Sequence, residues 1–205
     1  MIATGRPEVT DPQRPLAALL AFAQSAGALD VIPLSGLTVH ESETLAGQLQ
    51  AWGVERARAA WQRTGGNPFL LSELLRHPQA GGHLPTTARD AIVRRVAGLG
   101  PSVFDALTAA AVAGEVFRLD VLTIVLGGDP ATHTSAVERA FSAGLVVEDT
   151  THPGTYRFAH AIMHEALSAM ASPSHRSRVH LQFAAALETL GSAVAADVAR
   201  HRHAA

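Results

Sequence analysis

Three helix-length apolar segments, followed by two short β-prone stretches around a Pro-Gly turn, constrain the fold of this chain more than any other feature. The segments cover about 102–113, 119–126 and 131–143. The β-prone stretches are Gly144-Leu145-Val146-Val147-Glu148 and Thr155-Tyr156-Arg157-Phe158, with Pro153-Gly154 in the turn between them. Three helices and then a hairpin is the order of a winged helix. The order predicts one that begins at Gly100-Pro101.

The rest of the chain reads as helix. Pro15 to Ala26 places Leu16, Leu19, Leu20 and Ala23 on one face, with Gly27 as a stop. Met1 to Thr4 reads as the tail of a strand and Val31 to Leu34 as a short apolar strand. Thr38-Val39-His40-Glu41 has capping-box spacing and opens a helix to about Trp52, and Val54 to Thr64 continues helical. Gly65-Gly66 ends that run, Asn67 caps the next, and Pro68 suits its first turn. Thr86 or Thr87 caps a helix with Ile92, Val93 and Val96 inward and Arg89, Arg94 and Arg95 outward. Ala159 to Ala171 is helical, Ser172-Pro173 starts a helix to about Leu190, and Ala193 to His203 starts another. Aromatic content is only 5% and Ala fills much of the apolar 47%, which favours close-packed helices over a β-sandwich. The expected class is mainly α: a helical region, a winged helix with a small hairpin, then C-terminal helices.

All 16 basic residues are Arg, and there is no Cys. This excludes a thiolate nucleophile, a disulfide, a Cys-ligated metal and a Schiff-base amine. It also excludes an intact G-x-x-x-x-G-K-[ST] phosphate loop. A formal net charge of -2 gives no global basic signature for nucleic acid. No stretch approaches the roughly 18 apolar residues of a membrane span, and the first residues lack the order of a signal peptide. A cytoplasmic location fits the absence of Cys.

Several phrases recur in a specific order. They are Arg63-Thr64-Gly65-Gly66-Asn67-Pro68-Phe69-Leu70 with Glu73-Leu74-Leu75, and Leu84-Pro85 before Arg89-Asp90-Ala91-Ile92. Then come Ala110-Ala111-Val112-Ala113-Gly114 with Phe117, and Ala143-Gly144-Leu145-Val146. The last are Tyr156-Arg157-Phe158-Ala159-His160-Ala161 with Glu165-Ala166, and Arg176-Ser177-Arg178-Val179-His180. This series resembles signal-transduction ATPases of the AAA-like STAND class, especially large LuxR-family transcriptional regulators of actinobacterial type.

The resemblance implies a division of the chain. Residues 1–34 would be a remnant of the ATPase core, 35–99 a helical lid, 100–171 the winged helix and 172–205 the start of helical repeats. It implies ATP or ADP as cofactor of the complete architecture, with none bound tightly by this chain alone. Its partners would be the ATPase core and helical repeats of a parent protein or paralogue, with no membrane. The chain would then be a fragment, with no ATPase activity of its own. The resemblance places Gly66, Asn67 and Pro68 on the lid motif whose proline packs on adenine; an ordinary helix-cap-helix junction uses the same residues. It makes Arg6 the γ-phosphate sensor, against a solvated loop arginine. It makes His160 a winged-helix histidine that reaches the ADP phosphate, against a helix-capping or interdomain histidine.

Two other readings stand beside this one. The first is a stand-alone winged-helix DNA-binding regulator. Between Pro101 and Ala159, however, seven acids face three arginines, a net -4, and the presumed recognition segment carries only Arg139 beside Glu138. The second is a metallo-hydrolase, since His160 and His164 share a helix face near Glu165, His175 and His180. The residue after His160 is Ala161, so the general base of H-E-x-x-H is missing.

Overall fold

The protein is described here from a computed structural model, covering residues 22–28, 32–49, 53–77, 84–191 and 195–205. The chain separates into two units, Met1–Ser35 and Gly36–Ala205. In the first, Phe22 to Ser25 form a helical turn, and Gly27 follows in a left-handed conformation (φ 65). Ile32 to Leu34 run as exposed coil where a strand is expected. Four apolar residues do not make a strand without a hydrogen-bonded neighbour, and the strands among the described residues pair only with one another. The expected Met1–Thr4 strand, Arg6 and the first half of the expected 15–26 helix lie outside the described residues.

The second unit is mainly helical, with one small antiparallel sheet and further helices after it. Helix α1 (Val39–Gln48) starts with a complete capping box. Thr38 Oγ1 accepts from the Glu41 amide, and the Glu41 carboxylate accepts from the Thr38 amide at 2.7 Å. It ends four residues short of Trp52. Helix α2 (Val54–Thr64) is a separate element, because Gly53 takes extended angles as its N-cap. Helix α3 (Pro68–Arg76) has Asn67 as N-cap, with Oδ1 accepting from Phe69 and Leu70 at 3.1 Å each. Helix α4 (Thr86–Ala97) has no side-chain cap. Its N-cap is Pro85, and Thr87 instead donates its hydroxyl to the buried Glu73 carboxylate of α3.

Helices α5 (Pro101–Ala113), α6 (Leu119–Leu126) and α7 (Pro130–Ser142) fall where the apolar periodicity places them. Strands β2 (Val146–Glu148) and β3 (Thr155–Phe158) form the expected hairpin. Asp149 organises its turn, accepting from the Thr151 hydroxyl at 2.6 Å and the Thr151 amide at 2.8 Å. These bonds, together with His152, hold its carboxyl down at about 2. The sheet has a third member, β1 (Val116–Arg118), which pairs with β3 and makes the order β1-β3-β2. Three helices follow or extend the sheet: α8 (Ala161–Ser168), α9 (Pro173–Thr189) and α10 (Ala195–His203).

The apolar interior of this unit forms two clusters. The larger joins α5–α9 and the sheet with Leu70, Ala88, Ile92 and Val96, so it runs across Gly100 without a break. The smaller lies under α1–α3. Helix α3 serves both, with Leu70 in one cluster, Leu71 in the other, and Leu74 against each.

Candidate functional site at the α2–α3 corner

The sequence puts two glycines between the end of α2 and the Asn67 cap of α3, and both take positive φ: Gly65 at 59 and Gly66 at 77. Each is also closed in. A Cβ on Gly65 would overlap the His160 imidazole, coming within 2.5 Å of Nε2 and 2.6 Å of Nδ1. A Cβ on Gly66 would collide with the Leu37 carbonyl and stand 3.0 Å from Trp61 Nε1. Only glycine meets both demands at either position.

The coil Gly36-Leu37 locks this corner from the other side. The Leu37 amide donates to the Gly66 carbonyl at 2.8 Å, and the Trp61 indole donates to the Leu37 carbonyl at 2.7 Å. Gly36 lies so near that a Cβ there would be 2.6 Å from the Gly65 oxygen. The result is a buried Gly66 next to an exposed Pro68 and Phe69. A rigid proline ring and an aromatic ring are thus presented to solvent at the start of a helix.

His160 comes to this corner from far along the sequence. It occupies the N-cap position of α8 but makes no side-chain cap bond; its ring instead lies over Gly65. Burial, and then the Arg95 guanidinium, push its pKa below the ordinary value of 6.5. Arg95 is held there by donating to the Ala143 carbonyl at 2.7 Å, so it leaves the outward arginine face expected of α4. One turn into α8, Glu165 accepts from Arg63 of α2 at 2.5 Å, and each side chain is about one-third exposed. Two points of contact, His160 on Gly65 and Glu165 with Arg63, therefore join α2 to α8.

The four described candidates, Gly66, Asn67, Pro68 and His160, thus belong to one place, while Arg6 lies outside the described residues. Asn67 is committed to capping α3. His164, expected to share a face with His160, packs its ring against Phe158 at 5.8 Å. Among the described residues no three His, Asp or Glu side chains converge as a metal site. Sequence reasoning missed Gly36, Leu37 and Trp61 as the corner's support. The available signal was an isolated glycine before an apolar residue, together with the one aromatic residue of α2, Trp61.

No helix among the described residues is long and apolar enough to cross a membrane. No family model matches the chain, and no curated protein matches it. One solved structure is similar, a signal transduction ATPase with numerous domains carrying a tetratricopeptide repeat sensor, from Pyrococcus horikoshii. The identity is 16% and the TM-score 0.44. The similarity covers 85% of this chain but 25% of that one, so this chain spans about a quarter of its length.

Proposed function

We propose that this chain is the lid and winged-helix part of a cytoplasmic, STAND-type transcriptional regulator of the LuxR family. In this reading 35–99 form the lid, 100–171 the winged helix and 172–205 the first repeat helices. Residues 1–34 are then the remainder of an ATPase core. ATP or ADP binds between a phosphate-holding core and the lid, with Pro68 offering its ring to the adenine. The observation that carries the reading is the meeting of Gly65–Pro68 with His160. Two phrases of the resemblance, far apart in sequence, come together at one corner that presents Pro68 to solvent.

The chain itself is not an enzyme in this reading. It has no lysine to clamp phosphate, and an all-arginine set offers no phosphate-loop lysine in its place. His160 is kept neutral by its surroundings, so it suits hydrogen bonding to phosphate better than charge neutralisation. The nucleotide state shifts the balance between a closed form, with α2 against α8, and an open one.

DNA binding by residues 100–171 alone is disfavoured. Arg139, the single arginine of α7, is spent on the Leu99 carbonyl, and Arg118 is paired with Asp120. Phosphate contacts supply most DNA affinity, and two of the three arginines in this acidic stretch are engaged within the fold.

The test is a titration of the purified chain with a fluorescent ADP analogue, run beside an ATPase assay. No saturable binding tighter than about 1 mM is expected. Turnover should stay at background. Hydrolysis that survives repurification would overturn the reading. A salt-dependent anisotropy change on random duplex would favour the stand-alone DNA-binding regulator instead.

A further inference from the structure

Helix α10 rests on α9 through two buried histidines. His201 is 2% exposed and His180 is 9% exposed, and their Nδ1 atoms lie 2.9 Å apart. The His201 ring also stacks on Phe183, with centroids 5.3 Å apart and planes at 16°. On its far side, Arg200 Nη2 approaches His201 Nε2 at 3.4 Å.

These contacts fix the tautomers. A guanidinium can only donate, so His201 Nε2 is an acceptor and its proton sits on Nδ1. His201 therefore donates to His180 Nδ1, and the proton of His180 sits on Nε2. Each ring uses one lone pair inside the interface. Adding a proton to either ring destroys an acceptor and places a charge in a buried position.

We propose that the His180–His201 pair is a pH-sensitive latch that docks α10 onto α9 at neutral pH and releases it on mild acidification. The surrounding charges favour release. Arg176 of α9 and Arg200 of α10 both disfavour a second positive charge, and Asp197 of α10 is the one acid that opposes them at His201. The acids of the helices packed on α9, Asp105 of α5 and Asp120 of α6, are exposed. Two further ties hold α10. Arg200 donates to the Ala113 carbonyl at 3.0 Å, and Arg202 pairs with Glu188 at 2.6 Å.

Burial lowers both histidines, His201 from 6.5 to about 4. For a base lowered in the docked state, docking is complete above the undocked value and is lost as pH falls below it. From the His201 values, docking weakens about twentyfold between neutral pH and about pH 5.

Hydrogen exchange of the full chain at about pH 7.5 and about pH 5, corrected for intrinsic rates, tests this. The amides of α10 should lose at least about tenfold in protection at the lower pH, while those of α5 keep theirs. The double variant His180→Leu/His201→Phe should keep α10 protected at both values. NMR of the wild-type imidazole rings gives a second reading, with both titrating below 6.5. Equal protection of α10 at both pH values would overturn the proposal. So would rings that titrate at or above 6.5, or the same acid-induced loss in the double variant.

Discussion

The two apolar clusters of Gly36–Ala205 are built from different materials. The smaller holds Ala46, Ala57, Ala60, Leu71 and Leu75, so three of its five buried members contribute only a methyl group. The larger includes Val103, Leu107, Phe117, Leu122, Leu145, Tyr156, Phe158, Ile162, Leu167 and Phe183, with side chains that each contribute about 1.5–3 kcal/mol on full burial. The α5–α9 region can therefore hold its shape through apolar burial. The α1–α3 region depends more on backbone fit: a two-glycine corner, the Leu37 and Trp61 hydrogen bonds, and the two contacts with α8. A region held in this way can be moved by a change at a few atoms, as the lid role proposed above requires.

Substitutions in the two regions should differ in kind. Gly66→Ala places a Cβ against the Leu37 backbone at a left-handed position, and neither side can yield cheaply. A loss of about 4 kcal/mol is expected, read as loss of exchange protection across 39–76 with 101–187 retained. Uniform loss over both regions would break the distinction. Leu107→Ala, at a fully buried site, should cost about 3 kcal/mol and lower the denaturation midpoint of the larger region. Thr38→Ala removes the hydroxyl half of the α1 capping box and should cost about 1 kcal/mol, confined to the smaller region. Arg63→Gln should cost no more than about 1 kcal/mol, since the pair is partly exposed, and the effect should shrink with added salt.

Acid should also separate the regions. His160 is lowered by burial, so its contribution to the corner is complete above 6.5 and declines as pH falls below that value. Asp149 acts in the β2–β3 turn and at lower pH. Its carboxylate contribution to the hairpin turn holds above 3.8 and is lost as pH falls toward about 2. Chemical shifts at Gly65 should therefore move before those of Thr151 in a downward pH titration.

The two regions were unequally legible in the sequence. Helices α5–α7 are bounded by Gly100-Pro101, Gly114, Gly127-Gly128 and Gly144, so glycine and proline state their limits directly. The hairpin has a Pro-Gly turn. Strand β1 has only three residues, too few for alternation to show, and it becomes a strand only by pairing with β3. The break between α1 and α2 was hidden because both sides are helix-prone. The Thr86 or Thr87 cap failed because the helix starts earlier, with Pro85 as N-cap, so both threonines lie inside its first turn; Thr87 donates instead to Glu73 of another helix.

The site shows the same limit. Gly65-Gly66-Asn67-Pro68 is readable as a helix junction, and Asn67 performs the capping expected of it. That His160 closes over Gly65 is a tertiary fact, as is the Arg63–Glu165 pair, whose members stand 102 residues apart in sequence. No local pattern encodes either contact. Only the ordered series of phrases suggested that these segments belong to one machine.

The joining of the corner to α8 is tested most directly by a double-mutant cycle on Gly65→Ala and His160→Ala, measured by denaturant unfolding. Gly65→Ala alone should cost about 3 kcal/mol, because it combines a left-handed backbone with overlap on the imidazole. In the His160→Ala background that cost should fall by at least about 1 kcal/mol. Additive losses would show that His160 and Gly65 do not meet, and the corner would then stand apart from α8.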